Sequence, residues 1–311
     1  MTRYKTETMV TANHTPEHIG TPDAWQRATT RRRWRVPRVL RRPKIAFSVS
    51  VLTFFVLLAI FAPVVAPGDP LEFADLPHLR PSAEHILGTT GQGQDVFRQL
   101  VHGARRSLSV GTAAGLAATL LATIIGVSAG YFGGRIDEIL SLLTNVFLII
   151  PGLPLLVALA AFLPPGEPTM ILALSLTGWA WTSRVLRSQT LSLREKDFVQ
   201  AAVVSGEHTL RIMFIEILPN MASMVTGALV GSIVYGIAAQ AGLEFLGLGN
   251  ISAVSWGTIL YWAGNNAGLL TGAWWTFVPA GMCIALVAAS LAMLNYAMDE
   301  ITNPRLRVER E

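Results

Sequence analysis

Long stretches without charge alternate with short polar ones along this chain. Residues 47–67 and 107–134 carry no charged side chain, and neither does 139–163, where Asn145 is the strongest polar interruption. Residues 217–243 and 245–298 are also charge-free, the second divided by a polar, glycine-rich stretch around Asn265 and Asn266. Residues 169–183 form a shorter run that stops at Arg184. A helix needs roughly 20 apolar residues to cross a hydrocarbon core of ~30 Å. The pattern therefore predicts an all-α membrane protein with six transmembrane helices. A membrane barrel would instead show ~10-residue alternating segments.

This pattern divides the chain into a basic tail at 1–44, a first transmembrane helix at 45–67 and an outer loop at 68–106. A five-helix core follows at 107–298, interrupted by a long connection at 184–216, and a short tail closes the chain at 299–311. Residues 1–44 lack the compact basic and apolar regions of a cleavable signal, and their polar composition predicts disorder up to the basic run Arg31–Arg35.

Composition supports a lipid environment. Of 311 residues, 51% are apolar and 14% charged, against about a quarter charged in a typical soluble domain. Orientation follows from Lys and Arg. Eleven of the 24 lie in residues 1–44, and with six spans 20 of the 24 fall on the same side as that tail. The positive-inside rule then places both termini in the cytoplasm and leaves only Arg80, Arg98, Arg105 and Arg106 outside. The basic pI of about 9.6 comes mostly from the juxtamembrane tail, where attraction to anionic lipid and control of topology explain it. The aromatic platforms of a nucleic-acid binder are missing, so no nucleic acid is expected.

The connection at 184–216 carries the strongest chemistry. Asp197, Phe198, Val199, Gln200, Ala201 and Ala202 open a stretch that reads as a short amphipathic helix, with 198, 201, 202 and 205 on its apolar face. Gly206 supplies a left-handed residue to end it, and Pro219 opens the next span. Such a helix either fills a groove on a partner or lies flat on lipid, and physics alone leaves both open.

The spacing resolves the choice by resemblance. Gln200-Ala201-Ala202, Gly206 and Leu218-Pro219 resemble the "EAA" loop of binding-protein-dependent ABC importer permeases. Leu87–Thr90 with Gly93–Val96 resembles the "GTDxxGRDV" of the dipeptide and oligopeptide permeases, and His102–Leu108 their "YGARxSL". Gly130–Gly134 with Asp137-Glu138 resembles "GYFGGxxDE", and Ala241–Gly249 with Ser255–Gly257 resembles "AGLSFLGLG…SWG". Asp299-Glu300 with Asn303–Arg305 is similar to the usual C-terminal segment. The matches run in order over roughly residues 40–307 and point to the second permease subunit.

The resemblance implies a type I ABC importer permease fold in the cell membrane. It also implies four partners besides the lipid bilayer: a second, homologous permease, two cytoplasmic ATPase subunits and an extracytoplasmic solute-binding protein. Its coupling residues would be Asp197, Phe198, Gln200, Ala201, Ala202, Gly206 and Pro219. No GxxxxGK[ST] phosphate loop is present, since none of Lys5, Lys44 and Lys196 follows a glycine. No cofactor and no enzyme activity are expected, ATP being bound by the partners. Relatives of this kind import di- or oligopeptides, and similar permeases carry oligosaccharides or nickel. Four departures stand out: Gln200 replaces the motif Glu, Glu216 an Ile or His, Gln94 an Arg and Glu244 a Ser.

Several residues carry two readings. Glu244 either lines a translocation path, as intramembrane ionisable groups often do, or is a solvated turn residue beside Gly242 and Gly247; the turn is the expectation. Asn145 either joins that path or bonds a neighbouring helix. Trp256, Tyr261, Trp262, Trp274 and Trp275 fit an interfacial belt. Gly111, Gly115, Ala118, Gly126 and Gly130 space like a close-packing helix face, and Cys283 reads as a packing residue. The six histidines show no metal-pair spacing. An ion-coupled transporter would need carboxylates near the midplane, which Glu244 alone does not supply.

Overall fold

The computed structural model describes residues 43–302, so nearly all of the basic tail and residues 303–311 lie outside it. Among the described residues the architecture is helical, with two isolated bridges, Phe73 with Gln94 and Thr89 with Asp95, in place of strands. The principal helices are α1 (Pro43–Ile60), α2 (Val96–Phe132), α3 (Gly134–Ile149), α4 (Gly152–Phe162), α5 (Glu167–Gly178), α6 (Ala180–Arg194), α7 (Asp197–Val204), α8 (Ala222–Phe245), α9 (Trp256–Asn265) and α10 (Val278–Thr302).

Four of these are long and apolar enough to cross a membrane: α1, α2, α8 and α10 as far as Tyr296. The pair α3 and α4 makes a fifth if it is one span, although it bends by 89°. Proline explains the bend. Pro151 sits at the joint and Pro154 follows within the first turn of α4, removing donors and clashing with the preceding carbonyls. The expected fourth span is divided at Trp179 into α5 and α6. Trp179 keeps helical dihedrals (φ −85°, ψ −33°), but α5 has 12 residues and α6 has 15, each short of a crossing, and α6 carries Arg184, Arg187 and Arg194. Six spans were expected, and length and composition support four to five.

Two more boundaries move. The loop expected at 68–106 ends at Asp95, whose carboxylate accepts from Arg98 N at 2.8 Å and caps α2. The resulting helix has 37 residues, a length of ~56 Å at ~1.5 Å per residue. The apolar run at 245–298 does not form one rod. Its first half turns into the short α9, and only α10 is long enough to span. The closing segment expected as a tail from 299 stays helical to Thr302.

The long α2 is the mast of the molecule, packing most extensively against α6 and α8. Its small residues permit this. A Cβ on Gly126 would fall 2.5 Å from Ser183 O, and one on Gly130 would fall 2.7 Å from Arg187 O, so α6 lies against bare backbone. On the other flank, Gly236 of α8 faces Gly111, where a Cβ would meet Gly111 O at 2.6 Å. Close backbone approach of this kind is how helices associate where lipid removes the hydrophobic drive.

Candidate functional site

The candidate coupling residues gather on and around α7. Asp197 lies in its first turn, where a negative charge complements the helix dipole. At the other end Gly206 has φ +77°, its N–H bonds Val203 O at 3.0 Å, and Glu207 N bonds Ala202 O at 3.1 Å. This is the Schellman closure, and it needs glycine for the left-handed residue. Glu207 then holds Arg211 one turn on at 2.7 Å.

The apolar face is not the expected one. Val199 is fully buried and Ala202 half-buried, whereas Phe198, Ala201 and Ser205 are exposed. A face through 198, 201, 202 and 205 leaves out Val199, which is the residue that the fold buries. It seats α7 on a cluster of Leu186, Ile212, Ile217 and Met221, drawn from α6, the following segment and the entry to α8. Phe198 and Val204 project outward, Val204 at 87% exposure. The helix therefore has one face glued to its own chain and one apolar face free.

Pro219 acts through the backbone. Residues Ile212–Ile217 form a π-helical turn, closed by Leu218 N–H to Met213 O. Such turns commonly mark functional sites, and after the break at Gly206 this one carries the chain from Thr209 towards α8 as an irregular helical strut. Gln200 donates Nε2 to Arg194 O at 2.9 Å. It thereby satisfies a carbonyl left open at the end of α6, which a glutamate at this position could not do.

A second junction forms where separate motif stretches meet. The N-terminus of α9 carries a capping box, Ser255 and Thr258 bonding each other's backbone N–H. Trp256 N–H donates to Ser107 Oγ of α2 at 3.0 Å, and Trp256 Nε1 donates to Leu100 O at 3.1 Å. Gly103 lets this contact close, since its Cβ would stand 3.1 Å from Ser255 C. Stretches 102–108, 241–249 and 255–257 thus converge, which no linear spacing revealed.

Glu244 sits within this junction and is not a solvated turn residue: it is 1% exposed. Gln240 Nε2 donates to its Oε1 at 3.1 Å, and the Ser255 hydroxyl donates to its Oε2. Arg106 Nε stands 4.0 Å from Glu244 Oε1 and 3.7 Å from Glu167 Oε1. The turn expectation failed because Gly257, with no side chain, allows α9 to close over the carboxylate. Asn145 lies elsewhere, on α3, accepting from Arg184 Nη2 at 2.8 Å and tying α3 to α6. The two path candidates are therefore on separate elements with separate partners.

The aromatic group is also redistributed. Trp256 and Trp275 are buried, Trp275 Nε1 donating to Thr89 O at 3.2 Å, and Trp262 Nε1 donates to Ile251 O. Among Trp256, Trp262, Trp274 and Trp275, Trp274 alone is largely exposed. These rings pin the loop at 68–95 and the α8–α9 turn instead of forming a belt.

One open groove of about 560 Å³ runs between α5, α6, α8 and α10. Thr177, Thr182, Ser232, Tyr235 and Asn295 supply its polar lining, and among the described residues no charged side chain lines it. Thr177 Oγ1 and the Tyr235 hydroxyl are 2.9 Å apart.

Residues 122–308 match the family of binding-protein-dependent transport system inner membrane components. Among relatives, the chain is 32% identical over 293 residues to the dipeptide transport system permease protein DppC of Bacillus subtilis (strain 168), covering 92% of this chain and 86% of that one. It is 33% identical over 275 residues to the oligopeptide transport system permease protein OppC of the same strain, covering 86% and 88%. It is 32% identical over 265 residues to the di/tripeptide transport system permease protein DppC of Pseudomonas aeruginosa (strain UCBPP-PA14), covering 82% and 86%.

Proposed function

Because this chain belongs to the family of binding-protein-dependent transport system inner membrane components, we propose that it is the second permease subunit of an ATP-driven importer of di- or oligopeptides. Its relatives' names supply the substrate class. In this reading the working unit adds a homologous permease, two ATPase subunits on the side of α7 and a solute-binding protein on the side of the loop at 68–95. Both termini are cytoplasmic, by the Lys and Arg bias. In this reading ATP is bound by the partner subunits.

The single observation that carries the mechanism is α7, seated by Val199 and presenting Phe198, Ala201 and Val204 outward. A free apolar face on a short, pinned helix fits a groove on a partner. ATP closing the ATPase pair would draw two such helices together, and the strut at Ile212–Ile217 would pass the movement to α8. Only the partner's differing affinity for the two states can drive that change. The groove beside Tyr235 is this subunit's share of the path. Its neutral hydroxyls and amide suit a peptide main chain without selecting side-chain charge.

The test is uptake of a labelled tripeptide by proteoliposomes holding the full transporter, with ATP hydrolysis measured in parallel. Uptake that needs this chain, ATP and the loaded binding protein supports the proposal. Uptake of an oligosaccharide or of nickel but no peptide would replace the substrate class, and uptake driven by an ion gradient without ATP would overturn the whole reading.

A further inference from the structure

A polar cavity of about 250 Å³ lies between α2, α3 and α6, away from both the coupling helix and the groove. Ser141 and Asn145 of α3 face Ser183, Arg184 and Arg187 of α6 across it. Two guanidinium groups therefore meet here. Asp137 neutralises one: it binds Arg187 through both Nε and Nη2, the second contact at 2.6 Å, and takes the Ser141 hydroxyl at 2.9 Å. Arg184 instead gives Nη2 to the neutral Asn145 at 2.8 Å. Among the described residues it meets no carboxylate, so the cavity keeps one uncompensated positive charge.

The surroundings identify what could balance it. Asp137 is in the first turn of α3, so the neutralised pair lies at the start of that helix, while Arg184 meets Asn145 eight positions further along it. The outer flank of α3 is an exposed apolar stripe, with Ile139 66%, Leu142 66% and Val146 45% exposed. A small anion from water would use the arginines and hydroxyls but not the stripe. A phospholipid uses both, its phosphate taking charge-assisted bonds from arginine and its acyl chains covering the apolar flank. Basic pockets between membrane helices are suited to such headgroups.

We propose that the cavity between α2, α3 and α6 is a binding site for an anionic phospholipid, Arg184 holding the phosphate and the stripe Ile139, Leu142 and Val146 holding the acyl chains. The site would lock α3 to α6 just before α6 leads into α7. The inference needs only that the chain sits in a bilayer and is independent of what it transports.

The intact transporter is equilibrated in detergent with equal phosphatidylglycerol and phosphatidylcholine, washed, and the retained lipid is quantified. Wild type should enrich phosphatidylglycerol about fivefold, the worth of one basic residue at an anionic surface. Arg184→Gln, which keeps a donor for Asn145 and leaves the Asp137–Arg187 pair in place, should bring the ratio near parity, and Arg184→Lys should restore most of it. No enrichment in wild type overturns the proposal without recourse to any variant. So does wild-type enrichment in Arg184→Gln. Binding of inorganic phosphate that depends on Arg184, with no lipid selected, would show the ligand to be a free anion and also overturn it.

Discussion

Glu244 shows what one side chain can do to a junction. It stands where the resembled motif has serine, and it is enclosed by Gln240, Ser255 and Arg106. Removing one partner of a buried charged pair typically costs about 3–5 kcal/mol, because the other is left uncompensated. Arg106 keeps Glu167 at 3.7 Å, so Glu244→Ala should cost about 3 kcal/mol, the lower end of that range. Glu244→Gln, which keeps an acceptor for Ser255, should cost less. Thermal unfolding in detergent would check this; equal midpoints for Ala and wild type would mean the carboxylate is a bystander. The sequence could show an acidic residue in an apolar run but not its partners. Arg106 lies 138 positions away, and Ser255 reaches the carboxylate only through the turn into α9.

At the scale of elements, the existence of α7 and its glycine stop could be read from residues 197–206, because a short helix closed by a left-handed glycine is a local matter. Which face it buries could not, since Leu186, Ile212, Ile217 and Met221 come from three other segments. Two predictions follow from this arrangement. A Cβ at Gly206 meets nothing within 4 Å, so Gly206→Asp adds no clash, only about 1–2 kcal/mol of left-handed strain and a charge beside the free face. The complex should assemble while stimulation of ATP hydrolysis by loaded binding protein is lost; unchanged stimulation and uptake would make α7 a surface helix. Glycines elsewhere separate contact from propensity. Gly126→Ala drives a Cβ to 2.5 Å from Ser183 O, against nothing within 4 Å at Gly281 in α10. The first should destabilise by about 1–3 kcal/mol, as overpacking does. The second should be neutral or stabilise by up to about 1 kcal/mol, as alanine replaces glycine in a helix. Comparable losses at both sites would refute the close packing of α2 on α6.

For the whole molecule, lipid as solvent and the runs of apolar residues were legible because both depend on composition over ~20-residue windows. The span count was less so. Pro151 bends one run by 89°, and the turn at Asn265 and Asn266 hides a ten-residue helix that is too short to cross. Orientation still rests on the distribution of Lys and Arg, and a single cysteine makes it testable. Cys283 is buried in α10, so Cys283→Ser leaves a background without accessible thiols. Ser82 and Ser205 are both exposed, one in the loop at 68–95 and the other at the end of α7. If the positive side is cytoplasmic, a membrane-impermeant maleimide should label Ser82→Cys in intact spheroplasts and reach Ser205→Cys only after permeabilisation. The reverse pattern would invert the protein and turn α7 away from any ATPase. Labelling of both sites in sealed spheroplasts would put them on one face, so that an odd number of crossings no longer separates the loop from α7.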